Sequence, residues 1–184
     1  MKIGILPVGQ PVNASVIGRI QESLKMIFPK TTCIILDKTL PIPEEAFNKA
    51  RQQYNSTIIL NRIHGCTEEQ EALDRILGIT NVDLFVPNLN FVFGEAECPG
   101  KAALISLKRL KPEFYGKTAN IDLLVERGTK EAVHEIGHTL GLTHCPNPFC
   151  VMHFSNSIFD TDTKQSLFCN RCYLKIEKAV NNLR

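Results

Sequence analysis

Residues 134–144 read HEIGHTLGLTH, and the interpretation of the whole chain begins from this stretch. His134 and His138 lie four positions apart, so on a helix both imidazoles stand on one face, a turn apart. Glu135 follows His134 directly and points about 100° around that helix. It is therefore badly placed to ligate a metal held by both histidines, but well placed to reach a water bound to that metal.

Gly141 and His144 extend this pattern. Gly141 comes three residues after His138, where helices commonly end in a left-handed residue that glycine adopts at little cost. A reversal there returns His144 to the same ion. Three imidazoles and one open position are the arrangement of a catalytic zinc, which acidifies its water into a nucleophile near neutral pH. A purely structural zinc competes with this interpretation, but such a site normally has four protein ligands and needs no carboxylate beside it.

A second metal-binding pattern follows at once, in Cys145, Cys150, Cys169 and Cys172. C-x4-C and C-x2-C pairs separated by a short loop are typical of a closed, four-cysteine zinc site. We expect this zinc to be structural, because four thiolates leave no open position and the segment has little core of its own. An iron–sulfur cluster also fits four cysteines, and four free buried thiols are the remaining alternative.

Composition and charge exclude several classes of function. The 184 residues suit one compact domain, and the net charge of +2, without a basic run, gives no indication of nucleic acid as a partner. No run approaches the roughly 18 apolar residues of a membrane span. MKIGILPVGQPVNAS lacks the apolar core of a signal peptide. We therefore expect a cytoplasmic protein, acting as a monomer, whose reduced thiols bind metal rather than form disulfides.

The N-terminal part alternates predicted strands and helices. KIGILPV and TTCIILD predict strands, and apolar residues recur at helical spacing over 15–28, which indicates a parallel crossover unit. Pro43 and two glutamates predict a helix that ends near Gly65, and residues 68–79 (EEQEALDRILGI) predict another. VDLFVP, NFVFGEAE and AALISLKRL predict successive strands, and the pattern is helical again from Thr118. One mixed α/β domain thus fills residues 1 to about 140, with a small loop-rich lobe after it.

The motif region resembles a known family. HEIGHTLGLTH with a downstream methionine, Met152, resembles the metzincin zinc peptidases. The added pattern, C-x4-C running into Cys150-Val151-Met152 and then Cys169-Asn170-Arg171-Cys172, is similar to the archaemetzincin family in particular. The similarity is concentrated in residues 134–172, where every ligand position matches. No tyrosine follows Met152 closely, so we assign none to the transition state.

This resemblance implies a metzincin-like fold, in which a twisted mixed β-sheet is flanked by helices and one helix carries the active site. It also implies a small zinc-stapled C-terminal subdomain at 142–184, after an N-terminal subdomain at 1–141, within one catalytic domain of residues 1–184. Two zinc ions are implied, one catalytic and one structural. Met152 would form an apolar floor beneath the catalytic ion.

Hydrolysis of peptide bonds is the function we expect, with a peptide or protein as substrate. Zinc held by His134, His138 and His144 carries the attacking water, and Glu135 takes its proton and passes it to the leaving amine. Two alternatives stay open: a zinc-bearing binding module with a vestigial active site, and a zinc amidase acting on something other than peptides. The intact Glu135 argues against the first, since no structural role requires glutamate there.

Two further features concern the substrate. The strand edge at 91–94 is expected to form the upper rim of the cleft, where an extended peptide could pair with it. His153 follows Met152 and could contact substrate from its position near the metal.

Overall fold

A five-stranded mixed sheet forms the centre of the protein, whose computed structural model describes residues 1–183. The strands are β1 (Lys2–Val8), β2 (Thr32–Ile35), β3 (Phe47–Asn48), β4 (Gln53–Asn55), β5 (Arg75–Thr80), β6 (Leu84–Phe85), β7 (Gly94–Ala96) and β8 (Ala102–Ser106). The main sheet has the order β2-β1-β5-β8-β7, and only β7, at one edge, runs antiparallel to its neighbour. Strands β3, β4 and β6 form a second, small sheet.

Helices cover both faces of the main sheet. They are α1 (Ala14–Ile27), α2 (Ser56–Glu69), α3 (Ile121–Thr139), α4 (Ile158–Thr163) and α5 (Asn170–Asn181). Successive strand residues point to opposite faces of the sheet, so the apolar interior consists of two clusters. Helices α1 and α3 cover one cluster, and α2 covers the other. Within residues 1–183 no helix is both long and apolar enough to cross a membrane. The mixed α/β class predicted from the sequence is confirmed.

The parallel crossover unit predicted at the N-terminus is confirmed. Strands β1 and β2 are parallel neighbours, with Ile3 opposite Cys33, and α1 connects them. Asn13 begins α1 because its side-chain oxygen accepts hydrogen bonds from the backbone N–H groups of Ser15 and Val16. Helical periodicity and a capping residue agree here, and for that reason the prediction is sound.

The next two predicted helices are wrong. The helix expected from Pro43 to near Gly65 begins only at Ser56, because the residues before it form a 3₁₀ turn and strands β3 and β4. The helix expected over 68–79 is interrupted, since RILGIT forms β5, and all six of its residues are buried. A strand buried on both faces is a continuous apolar run, which periodicity alone does not separate from a helix.

The segment after α3 returns to the main core. Val151, Met152 and Ile176 are completely buried and belong to the apolar cluster beneath α1 and α3. The boundary predicted between residues 141 and 142 falls in the turn that ends α3. Arg184, the last residue of the predicted subdomain 142–184, lies outside the described residues.

Candidate active site and metal centres

Helix α3 carries His134 and His138, and the turn at its end brings His144 back beside them. Asn120 begins the helix by accepting a hydrogen bond from Leu123 N–H at 3.0 Å. At the other end Gly141 is left-handed, with φ +87°, as the sequence predicted. Gly141 N–H donates to His138 O at 2.8 Å and Leu142 N–H donates to Gly137 O at 3.1 Å. This pair of bonds is the Schellman motif, which reverses the chain immediately after the helix.

The three histidines converge. One ring nitrogen from each of His134, His138 and His144 lies within 4.8 Å of the others, and the Nε2 atoms of His134 and His138 are 3.1 Å apart. Tetrahedral zinc with nitrogen ligands at about 2.0–2.1 Å places such atoms roughly 3.3 Å apart. The spacing therefore fits one zinc ion.

Backbone carbonyls orient two of these rings. His134 Nδ1–H donates to Val151 O at 2.8 Å, and His138 Nδ1–H donates to Leu142 O at 2.6 Å. A carbonyl oxygen can only accept, so each bond fixes the tautomer that leaves Nε2 unprotonated and able to bind a metal. Neither carbonyl acceptor could be identified from the sequence.

Burial keeps the imidazoles neutral. It lowers the pKa of His134 well below the ordinary value, and the charge of Lys164 lowers it further. Burial also lowers the pKa of His138 and of His144. Neutral imidazole is the form that binds zinc, because the protonated ring offers no lone pair.

Glu135 lies in the same cleft, close to the edge strand of the sheet. Gly94 in β7 is next to it: a Cβ on Gly94 would lie 2.6 Å from Glu135 Oε1. Burial raises the pKa of Glu135 well above its ordinary value, and the nearby charge of Glu131 raises it further. A carboxyl with a raised pKa is a stronger base once ionised, which suits proton transfer from water.

A cavity of about 380 Å³ opens between α3, the strand edge at β7 and the segment after Met152. Its lining includes all three histidines, Glu135, residues 91–96, Phe154 and Ser155. The stretch 91–94 thus lies where the sequence placed the upper rim. His153 does not line this cavity; its Nδ1 is hydrogen-bonded to Cys145 O at 3.0 Å instead.

The four cysteines form a second cluster. Their Sγ atoms all lie within 4.8 Å of one another, and those of Cys145 and Cys169 are 3.9 Å apart. Tetrahedral zinc with Zn–S bonds of about 2.3 Å requires a spacing of roughly 3.8 Å. The backbone N–H of Cys172, in the first turn of α5, lowers the pKa of the Cys169 thiol to about 7. Burial raises the pKa of Cys150 and Cys172, so the fit to zinc rests on the four sulfur donors and their spacing.

Met152 is fully buried directly against α3. A Cβ on Gly137 would lie 2.5 Å from Met152 Sδ, so the sulfur rests on the helix backbone between His134 and His138. The backbone also connects the two metal-binding patterns, because Cys145 N–H donates to Met152 O at 2.9 Å.

A buried ion pair beneath the cleft was not predicted. Lys164 Nζ lies 3.0 Å from Glu131 Oε1, and the side chains are 0% and 3% exposed. Thr161 Oγ1–H also donates to Glu131 Oε1, at 3.0 Å. No sequence signal marks Lys164, which lies 33 positions from its partner and in no recognisable motif.

The comparisons with known proteins agree with this geometry. The sequence model of peptidase family M54 matches residues 7–178. The chain is 50% identical over 177 residues to archaemetzincin from Methanocaldococcus jannaschii, which covers 96% of this chain and 93% of that protein.

Two solved structures of archaemetzincins have a similar fold. The crystal structure of archaemetzincin from Methanopyrus kandleri has a TM-score of 0.86 at 36% identity, covering 98% of this chain and 96% of that one. Archaemetzincin from Archaeoglobus fulgidus, crystallised with malonate, has a TM-score of 0.80 at 41% identity, covering 95% of this chain and 99% of that one. The metzincin-like fold expected from the sequence is confirmed.

Proposed function

Because the chain belongs to the archaemetzincins, peptidase family M54, we propose a division of roles between two zinc ions, one catalytic and one structural. The protein is a zinc metallopeptidase, and its substrates are peptides. The catalytic ion is held by His134, His138 and His144. The structural ion is held by Cys145, Cys150, Cys169 and Cys172.

The convergence of the three histidine nitrogens within 4.8 Å, in a cleft that Glu135 also lines, carries the proposal. When bound, zinc supplies a Lewis acid that polarises the scissile carbonyl and acidifies a water molecule. Glu135 lines the same cleft as the histidines and would take the water's proton, and its buried carboxyl would then pass that proton to the leaving amine. Removing a general base of this kind typically lowers the rate ~10²–10⁴-fold.

Strand β7 orients the substrate in this proposal. It pairs with β8 on one side, and Gly94, Glu95 and Ala96 line the cleft along the other. An extended peptide added to that free edge receives main-chain hydrogen bonds, which hold it independently of its side chains. The absence of a side chain at Gly94 allows the edge to approach Glu135 closely.

Met152 and the four cysteines would stabilise the segment that packs against the two helical histidines. Met152 forms an apolar floor, since its sulfur packs on α3 between the two helical histidines. A zinc ion bound by the four cysteines would staple the C-terminal subdomain, residues 142–184, internally, within a single domain spanning 1–184. The bond from Cys145 N–H to Met152 O transmits that restraint to the catalytic site.

We also propose that the protein acts as a monomer in the cytoplasm. A reducing compartment preserves the thiolates that the four-cysteine site needs.

Incubation of the zinc-loaded protein with a mixed peptide library, analysed by mass spectrometry, tests the function. We expect new peptide termini that accumulate with time and disappear when phenanthroline is present. Protein that retains two zinc equivalents but leaves every peptide intact would contradict the proposal.

A further inference from the structure

Two polar groups of the catalytic cleft, the carboxyl of Glu131 and the hydroxyl of Ser155, have no part in the proposed chemistry. Phe91, Phe93 and Phe154 make much of the lining apolar. Glu131 and Ser155 also line the cleft, although Glu131 is only 2% exposed. A carboxylate and a hydroxyl beside apolar side chains select the ligand groups that can bind to them.

The hydroxyl of Ser155 has no partner. Its Oγ atom is buried and makes no hydrogen bond to any residue in the described range 1–183. Buried polar groups in folded proteins nearly always have partners, so an unsatisfied hydroxyl on the wall of a binding cleft indicates a place for a ligand group. Thr129 Oγ1 is unsatisfied as well, but Thr129 does not line the cleft and offers a matched comparison.

Lys164 connects Glu131 to the segment that carries Ser155, because its Nζ lies 3.0 Å from Glu131 Oε1 and donates to His153 O at 3.4 Å. Lys164 Nζ and Thr161 Oγ1 both lie 3.0 Å from Glu131 Oε1, so Oε2 is the oxygen that we assign to a ligand. The charge of Glu131 is already neutralised by Lys164. A cationic substrate side chain would therefore be repelled by Lys164, and an anionic one by Glu131, while either would lose its hydration.

We propose that the part of the cleft lined by Glu131 and Ser155 binds the neutral carboxamide of a glutamine or asparagine side chain in the substrate. The amide NH₂ donates to Glu131 Oε2, and the amide oxygen accepts from the Ser155 hydroxyl. A carboxamide supplies both the donor and the acceptor that these residues require, and an aliphatic side chain supplies neither. This substrate preference rests on the proposed peptidase function.

Cleavage of paired peptides tests the preference. A library randomised on both sides of the scissile bond first identifies the position that Ser155 affects. Peptides with glutamine, methionine, glutamate or lysine at that position are then compared by kcat/KM. The two hydrogen bonds together predict a preference for glutamine over methionine of roughly tenfold. Ser155→Ala removes one of the two bonds and should lower that ratio to about threefold. Thr129→Val, whose hydroxyl does not line the cleft, should preserve the ratio.

Binding to the Glu135→Ala variant gives a second readout that needs no turnover. Its affinity for the glutamine peptide should exceed that for the methionine peptide, and Ser155→Ala in that background should reduce the difference. Cleavage of all four peptides at similar rates, or an unchanged ratio in Ser155→Ala, would overturn the carboxamide subsite and leave the peptidase function intact. If the zinc-loaded parent cleaves no peptide of the library, the proposed function and this inference both fail.

Discussion

Met152 and Gly137 are in such close contact that a Cβ on Gly137 would lie 2.5 Å from the methionine sulfur. Gly137 lies between His134 and His138 on α3, so this contact sets how near the segment after the helix comes to two proposed zinc ligands. Helical glycine is otherwise unfavourable relative to alanine, by roughly 0.5–1 kcal/mol. Here the glycine is needed for packing.

Gly137→Ala should therefore destabilise the protein by about 1–3 kcal/mol and weaken zinc binding at the histidine site, because Met152 must move away from the helix. Urea unfolding and a zinc titration measure the two effects. Gly18→Ala is the control: Gly18 is also helical, but a Cβ there meets nothing within 4 Å, so this variant should be slightly more stable. Equal stabilisation by both substitutions would contradict the packing role.

The two metal sites should differ in lability. The histidine site leaves one coordination position open, and a chelator can enter there without displacing a protein ligand. Brief phenanthroline treatment should remove about one zinc equivalent, abolish hydrolysis and leave the melting temperature nearly unchanged, and added zinc should restore activity. Elemental analysis before treatment should approach two zinc ions per chain. Loss of both ions at one rate, or iron at the cysteines, would contradict separate catalytic and structural zinc sites.

Cys169→Ser tests the structural site directly. Replacing one thiolate should release the second zinc and expose the loop between Cys150 and Cys169 to proteases, since metal binding and folding are coupled there. Limited proteolysis and thermal melting measure this effect. Cys33→Ser is the matched control, because Cys33 lies in β2, away from both clusters. A Cys169→Ser variant as protease-resistant as the parent would refute the assignment.

The sequence predicted the sites better than the sheet. HEIGHTLGLTH predicts its own geometry because helical spacing and the turn at Gly141 are local properties. The strand β5 was missed because a strand buried on both faces lacks the alternation that identifies strands at a surface. The acceptors Val151 O and Leu142 O could not be predicted, since any backbone carbonyl that the fold brings near will serve.

The buried ion pair of Glu131 and Lys164 could not be predicted either, because the fold brings together two side chains that lie 33 positions apart in the sequence. Removing one partner of such a pair is costly. Lys164→Met should destabilise the protein by about 3–5 kcal/mol, because it leaves a buried carboxylate without a partner. Adding Glu131→Gln should recover most of that loss, since neither charge then remains. Urea unfolding of the zinc-loaded proteins measures both.

An exposed ion pair provides the comparison. Arg19 and Asp122 are 2.7 Å apart, with side chains 46% and 79% exposed, so Arg19→Met should change stability by less than about 1 kcal/mol. If Lys164→Met is no more destabilising than Arg19→Met, or if the double variant is no more stable than Lys164→Met alone, the buried pair does not have the structural role inferred here.

Zinc content and hydrolysis measured together in Glu135→Ala test the central claim, that Glu135 acts on water and does not hold the metal. The variant should retain two zinc equivalents and the parent's melting behaviour, while its rate of peptide hydrolysis falls ~10²–10⁴-fold. Loss of the phenanthroline-sensitive zinc would make Glu135 a ligand. Hydrolysis at the parent's rate, with both ions present, would show that another group takes the proton.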